Sequence, residues 1–180
     1  MSMKSIQRLI GGDQGARVKN DFYATPESAI RPLLYHEVFE GEIWEPACGD
    51  GAISKLLKEK GHNVYSSDLV NRGYGDAHFN FMTSMRETNN IITNPPFNIG
   101  TKFTLHALHC ASDKVAIFNK LTFLEGKERK RSLYSLGFLK TVYVFSERQS
   151  LGRGTKGGML AFAWFVFDKK YQGDPSIKFI

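Results

Sequence analysis

Short apolar runs alternate along this chain with stretches of helical spacing, and that alternation leaves few architectures open. Ile43-Trp44, NVYSSD at 63–68, NIIT at 90–93 and VAIFNKLTFL at 115–124 read as strands. Between them apolar residues recur three and four apart, as one face of a helix requires. Leu56 and Leu57 precede a stop at Gly61, and Phe103, Leu105 and Leu108 face inward within 101–112. An earlier helix opens at Thr25-Pro26-Glu27, with threonine as cap, proline at the first position and glutamate at the positive end. Ile30, Leu33, Leu34 and Val38 form its inner face and Gly41 ends the segment. A weaker strand is expected near 78–82, and a basic helix over KERKRSLYSLGFL at 127–139. TVYVF and MLAFAWFVF follow as strands with no helix between them, which predicts an antiparallel hairpin at one edge. The whole reads as α/β, a mostly parallel, doubly wound sheet.

A chain of 180 residues suits one such unit, expected over 21–180, behind a mobile polar arm at 1–20. Cys48 and Cys110 form no CxxC pair, which fits a reducing interior and offers no metal site. The first residues lack the apolar core of a signal peptide, and MLAFAWFVF is about half the length of a membrane span. A soluble, cytoplasmic protein with no membrane partner is expected. The net charge is +6. It concentrates in the arm (Lys4, Arg8, Arg17, Lys19), in GKERKR at 126–131 and between Arg148 and Lys156, where GRGTKGG mixes cations with glycines. A phosphate backbone or plain solvent satisfies those runs equally well.

In open α/β sheets, ligands sit outside the carboxyl ends of the strands. Three short stretches fall there. EPACGDG at 45–51 puts Gly49 and Gly51 where the backbone must turn tightly beside a ligand. The acid at its head, Glu45, repels a pyrophosphate but tolerates a cofactor with a positive amino-acid tail, which points to S-adenosylmethionine over NAD. Asp68 ends the second strand about 20 residues on, where a carboxylate can take a ribose diol. In NPPF at 94–97, proline fixes φ, donates no backbone hydrogen bond and holds the residue before it extended. Asn94-Pro95-Pro96 is thus a short rigid segment leaving a buried strand, with carbonyls able to face a ligand. A double-proline turn without function uses the same residues.

EPACGDG, SSDL, NPPF and the upstream DFYATP, in this order, resemble the motifs of amino-group DNA methyltransferases, the adenine-N6 and cytosine-N4 enzymes. AFAWFVFDKKYQG and FLEGKERKR are similar to the small phage and prophage adenine methyltransferases, so the resemblance spans roughly 21–180. It implies a Rossmann-like S-adenosylmethionine-dependent fold. It implies that Tyr23, Thr25 and Pro26 touch the methionine part of that cofactor and that Glu45, Ala47, Cys48, Gly49 and Gly51 line it. Asp68, with Leu69 beside it, would hold the ribose, and Asn80 and Phe81 would meet the adenine ring. Asn80 departs from the acid usual there, and core packing accounts for Phe81 equally well. Asn94, Pro95, Pro96 and Phe97 would form the catalytic turn, with Asn94 also bordering the cofactor. A phage origin would put the protein in the cytoplasm of a bacterial host.

The exocyclic amine of adenine is a poor nucleophile because its lone pair is delocalised into the ring. If the Asn94 side-chain oxygen and the Pro95 carbonyl each accept one N–H, the lone pair localises on nitrogen, and rigid neutral acceptors do this by preorganisation. Phe97 can stack on a base swung out of a duplex. No metal is needed. No segment is spare for a separate target-recognition region. The candidate contacts to DNA, duplex with a flipped base or single-stranded, are therefore Lys127, Arg129, Lys130, Arg131, Arg148, Arg153 and Lys156, and the expected specificity is short or low. RNA, cytosine-N4 and protein-glutamine methylation remain alternatives, as does an inactive relative that binds nucleic acid.

Overall fold

A computed structural model describes residues 22–149, 151 and 160–180. In chain order the elements are helix α1 (Glu27–His36), strand β1 (Ile43–Glu45), α2 (Ala52–Glu59), β2 (Val64–Ser66), β3 (Thr88–Thr93), α3 (Gly100–Cys110), β4 (Ala111–Lys120), α4 (Lys127–Ser132), β5 (Leu139–Val144), β6 (Phe162–Asp168) and β7 (Ser176–Phe179). The strands form a seven-stranded sheet in the order β2-β1-β3-β4-β6-β5-β7. Pairing is parallel from β2 to β4 and between β5 and β7, whereas β6 lies antiparallel between β4 and β5.

Side chains alternate across a strand, so each central strand feeds two cores. On one face Val115 and Ile117 of β4 and Phe165 and Phe167 of β6 pack with Phe103, Ala107 and Leu108 of α3. On the other, Ala116, Phe118, Trp164 and Val166 pack with Ile30 and Leu33 of α1 and Ile53, Leu56 and Leu57 of α2. All seven residues of β6 are buried, as a central strand covered on both faces requires. Trp164 satisfies its indole N–H on the Ala29 carbonyl, 2.7 Å away, which pins α1 to the sheet. The expected mostly parallel α/β sheet with an antiparallel pair is what is found.

Several local expectations are corrected. The segment near 78–82 is not a strand: His78 takes a φ of 61°, and Phe81–Thr83 form a single 3-10 turn. Phe79 and Phe81 instead set their rings edge-on against Trp44, at 5.8 and 5.0 Å. The basic helix ends at Ser132, and a 3-10 turn over Tyr134–Leu136 stops at Gly137 in the left-handed region. Thr25 caps nothing; Pro26 precedes α1 with no side-chain cap, and the helix stops at His36, leaving Val38 exposed. Helix α3 gives way to β4 at Ala111 with no linker. Strand β7, four residues long and beyond the expected hairpin, was hidden by its shortness and exposure, with both of its apolar side chains, Ile177 and Phe179, facing solvent.

Candidate active site

Strand β1 ends on Glu45, and the loop behind it must turn back within a few residues to start α2. Gly49 and Gly51 make that turn with φ of 57° and 83°, a region that favours glycine. Both are also hemmed in: a Cβ on Gly49 would lie 2.2 Å from the Phe22 ring, and one on Gly51 2.6 Å from the Tyr74 ring. Glu45 points back under the loop, where its Oε2 accepts hydrogen bonds from the Ser54 N–H at 2.8 Å and from the Ser54 hydroxyl. Burial pushes its pKa from 4.5 up to about 8; the Ser54 bonds oppose the shift, and the nearby Asp68 and Asp50 add to it.

Asp68 lies two residues past β2 and ties its own loop to the glycine loop after β1. Its Oδ2 accepts from Gly49 N–H at 2.8 Å, and its Oδ1 accepts from Val70 N–H at 2.8 Å and from the Arg72 guanidinium at 2.8 Å. Arg72 in turn lies over the Phe22 ring, 4.5 Å from its centroid. The carboxylate expected to meet a ribose is therefore already a hub of the loop. Between these groups, Cys48 is enclosed, with Sγ 3.6 Å from the Tyr74 carbonyl. Burial, with Glu45 and Asp68 adding to it, pushes the thiol up to about 12. Native protein is therefore expected to leave Cys48 unalkylated by iodoacetamide at pH 8, with denaturant exposing it; rapid labelling of the native fold, read by peptide mass, would contradict this.

Strand β3 delivers Asn94 to the same end of the sheet. Its side-chain Nδ2 donates to the Tyr23 carbonyl at 2.9 Å and to the Thr25 hydroxyl at 3.0 Å. Both amide hydrogens are thereby spent on the segment before α1. The orientation of the amide follows: Oδ1 is the atom left as acceptor, and no donor reaches it among the described residues. Pro96 then leads into a 3-10 turn over Phe97–Ile99. The Phe97 ring stacks on Tyr23 at 5.9 Å and lies 5.8 Å from Phe162, with the Lys120 ammonium 5.0 Å from its centroid.

These three strand ends enclose a cavity of about 450 Å³. Of the residues expected at a site, Tyr23, Thr25, Glu45, Ala47, Cys48 and Asp68 line it, and so do Leu69, Asn80, Phe81, Asn94 and Pro96. Pro26, Gly49, Gly51, Pro95 and Phe97 do not reach its wall and shape it from behind. Asn80 spends its Oδ1 on the Met82 N–H at 3.1 Å, and Phe81 packs against Phe103 at 4.5 Å. Sequence reading missed Phe22, Asp50 and Arg72. Asp50 stood in the glycine loop in plain view, whereas Arg72 is far from any motif and only the fold brings it to Asp68. Charged residues on the wall are three acids, Glu45, Asp50 and Asp68, against Arg72 alone among the described residues. Asp50 Oδ1 is buried without a hydrogen-bond partner.

The candidate nucleic-acid contacts separate. Lys127, Lys130 and Arg131 are exposed on α4. Arg129 turns inward, donating to the Thr122 carbonyl at 3.3 Å and covering the Phe123 ring at 5.2 Å, so it holds the turn before α4. Arg148 is exposed. Arg153, Lys156 and the arm cations lie outside the described residues. Among the described residues no cluster of His, Cys, Asp or Glu is arranged for a metal ion, and no helix is long and apolar enough to cross a membrane.

The strand order, with one antiparallel strand inside a parallel sheet and a cavity at the carboxyl ends, defines a Rossmann-like fold of the S-adenosylmethionine-dependent methyltransferase type. No protein-family profile matches the chain, and no curated protein matches it in sequence. In structure it is similar to a modification subunit assigned to a type I restriction enzyme of Vibrio vulnificus YJ016, at 14% identity and a TM-score of 0.65, covering 99% of this chain and 50% of that one. The chain thus spans half the length of that subunit. It is similar to a protein assigned as an RNA methyltransferase from Pyrococcus horikoshii, at 15% identity and a TM-score of 0.66, covering 94% of this chain and 98% of that one. Magnesium protoporphyrin IX methyltransferase from Synechocystis PCC 6803, with S-adenosylmethionine bound, matches at 15% identity and a TM-score of 0.57, covering 80% of this chain and 77% of that one.

Proposed function

We propose that this protein is an S-adenosylmethionine-dependent methyltransferase that acts on an exocyclic amine, the N6 of adenine in DNA. One observation carries the reading: both amide hydrogens of Asn94 are tied to Tyr23 and Thr25, so its oxygen is held as an acceptor at the rim of the cavity. An acceptor fixed in this way suits an amine that must surrender its resonance with the ring. Taking one N–H, it localises the lone pair on nitrogen and aims it, and it needs no reorganisation to do so.

The cavity fits the cofactor on charge and size. Three carboxyl groups face one guanidinium, the buried Asp50 Oδ1 lacks a donor, and the volume is that of a small-molecule site. Tyr23 and Thr25 would border the methionine part and Asp68 the ribose, with Phe79, Asn80 and Phe81 flanking the adenine ring. When bound, S-adenosylmethionine supplies an electrophilic methyl group on a sulfonium centre. The chain's own residues position the acceptor, exclude water with Phe22 and Phe103, and hold the loop through Asp68. Phe97 reaches the target side only if a base displaces Lys120 from its ring. The exposed cations of α4 and the likeness to a restriction-modification subunit support DNA as the partner. Methyl-labelled cofactor incubated separately with duplex DNA, single-stranded DNA, transfer RNA and protein tests this. Label is expected on DNA; label confined to RNA or protein would overturn the choice of substrate, and none at all the activity.

A further inference from the structure

Glu45 has 2% of its surface exposed, yet its side chain lines the cavity. Its donors are neutral. The N–H and hydroxyl of Ser54 both serve Oε2, and the Ser66 hydroxyl continues that chain 2.6 Å from the Ser54 oxygen. The charged or titratable groups that face it are Asp50 and Cys48 in its own loop, and Asp68 with Arg72 beyond β2; helix α2 presents the neutral Ser54, while its Lys55 is exposed and donates to the Asp50 carbonyl at 2.7 Å. Arg72 is engaged by Asp68. No lysine, arginine or histidine pairs with Glu45 among the described residues. A buried carboxylate with like charges near it and no cation is costly, and the neutral acid avoids that cost.

We propose that Glu45 holds a proton in the free protein and releases it to solvent when a cationic ligand enters the cavity, so that cofactor uptake is coupled to proton release and the pocket selects ligands by positive charge. This rests on the reading that the cavity takes S-adenosylmethionine. The proton passes from the Glu45 carboxyl to water or buffer, and the ligand's positive charge replaces it as the counterion; no bond of the ligand changes. Burial that pushes Glu45 up to about 8 agrees with the neutral form in the free protein at neutral pH. Cys48, pushed up to about 12, keeps its proton throughout.

Calorimetric titration of the wild-type protein with S-adenosylmethionine at pH 6.5, in two buffers of different ionisation heat, counts the protons released. Close to one per cofactor is expected. Affinity should rise about tenfold per pH unit between pH 5.5 and 7, where an α-amine stays protonated and contributes nothing. Glu45→Gln keeps an acceptor for Ser54 and is permanently neutral. It should still bind cofactor, with heats independent of buffer and an affinity flat across that range. Wild-type binding without buffer dependence, or an unchanged proton count in Glu45→Gln, would overturn the coupling alone. Absence of wild-type binding would overturn the cofactor reading itself. If Glu45→Gln does not fold, the wild-type proton count and pH slope decide.

Discussion

Replacing Asn94 with alanine is expected to lower single-turnover methyl transfer about a hundredfold or more, the usual cost of removing one preorganised polar group from a reacting centre. Cofactor affinity should fall much less. Nδ2 also anchors Tyr23 and Thr25 on the cavity wall; two hydrogen bonds of about 1 kcal/mol each amount to roughly thirtyfold in the anchoring of that wall, of which a part, several-fold, is felt as cofactor affinity. The signature is a turnover defect well beyond the affinity defect. Asn94→Asp separates the roles further: it keeps an acceptor but loses both donors and brings a charge, so it should bind the upstream segment poorly. Equal losses of turnover and affinity in Asn94→Ala would make the residue a wall anchor and remove it from the chemistry.

The largest effect on stability is expected at the opposite end of the sheet. Glu37 follows α1 and is 5% exposed. Its carboxylate accepts from the Tyr143 hydroxyl at 2.8 Å, from Lys114 at 3.1 Å and from Lys140 at 3.2 Å. Burial alone would raise its pKa; the Tyr143 and lysine bonds outweigh that and hold it below 4.5. Glu37→Ala leaves two lysines and a hydroxyl without their shared acceptor and should cost about 3 kcal/mol. The low end of the range applies because the lysines are part-exposed and Lys140 keeps Asp168 at 3.6 Å. Thermal unfolding should then fall by about 6–12 °C. Because the folded pKa is depressed, this contribution is full above the ordinary carboxylate value and is lost as pH falls through the folded one. Wild type and variant should therefore converge in stability at strongly acid pH. A gap that persists there would point to lost packing in place of lost charge.

What could be read from the sequence follows from how local each feature is. The two prolines after Asn94 constrain their own backbone, so the rigid turn at a strand end was legible without any fold. Gly49 and Gly51 were legible for the same reason, since the turn needs positive φ in the chain itself. The orientation of the Asn94 amide was not, because it depends on Tyr23 and Thr25, about 70 residues away. Thr25 misled for that reason: its hydroxyl suits a helix cap by type, yet the structure spends it on Asn94. The helix expected over 127–139 kept its apolar spacing through Leu133 and Leu136, but Gly137 and a 3-10 turn broke it. Phe97 stood out in the sequence as an aromatic ring directly after the two prolines. Its stacking on Tyr23 under Lys120 is a tertiary arrangement that spacing does not encode.

If the methyl group goes to an exocyclic amine, the methylated product identifies the atom directly. Duplex DNA incubated with the protein and S-adenosylmethionine, digested to nucleosides and separated by mass spectrometry, should yield N6-methyl-2′-deoxyadenosine. A methyl group on a ring carbon, as in 5-methyl-2′-deoxycytidine, would contradict the role given to Asn94, because carbon attack has no use for an acceptor of amine hydrogens.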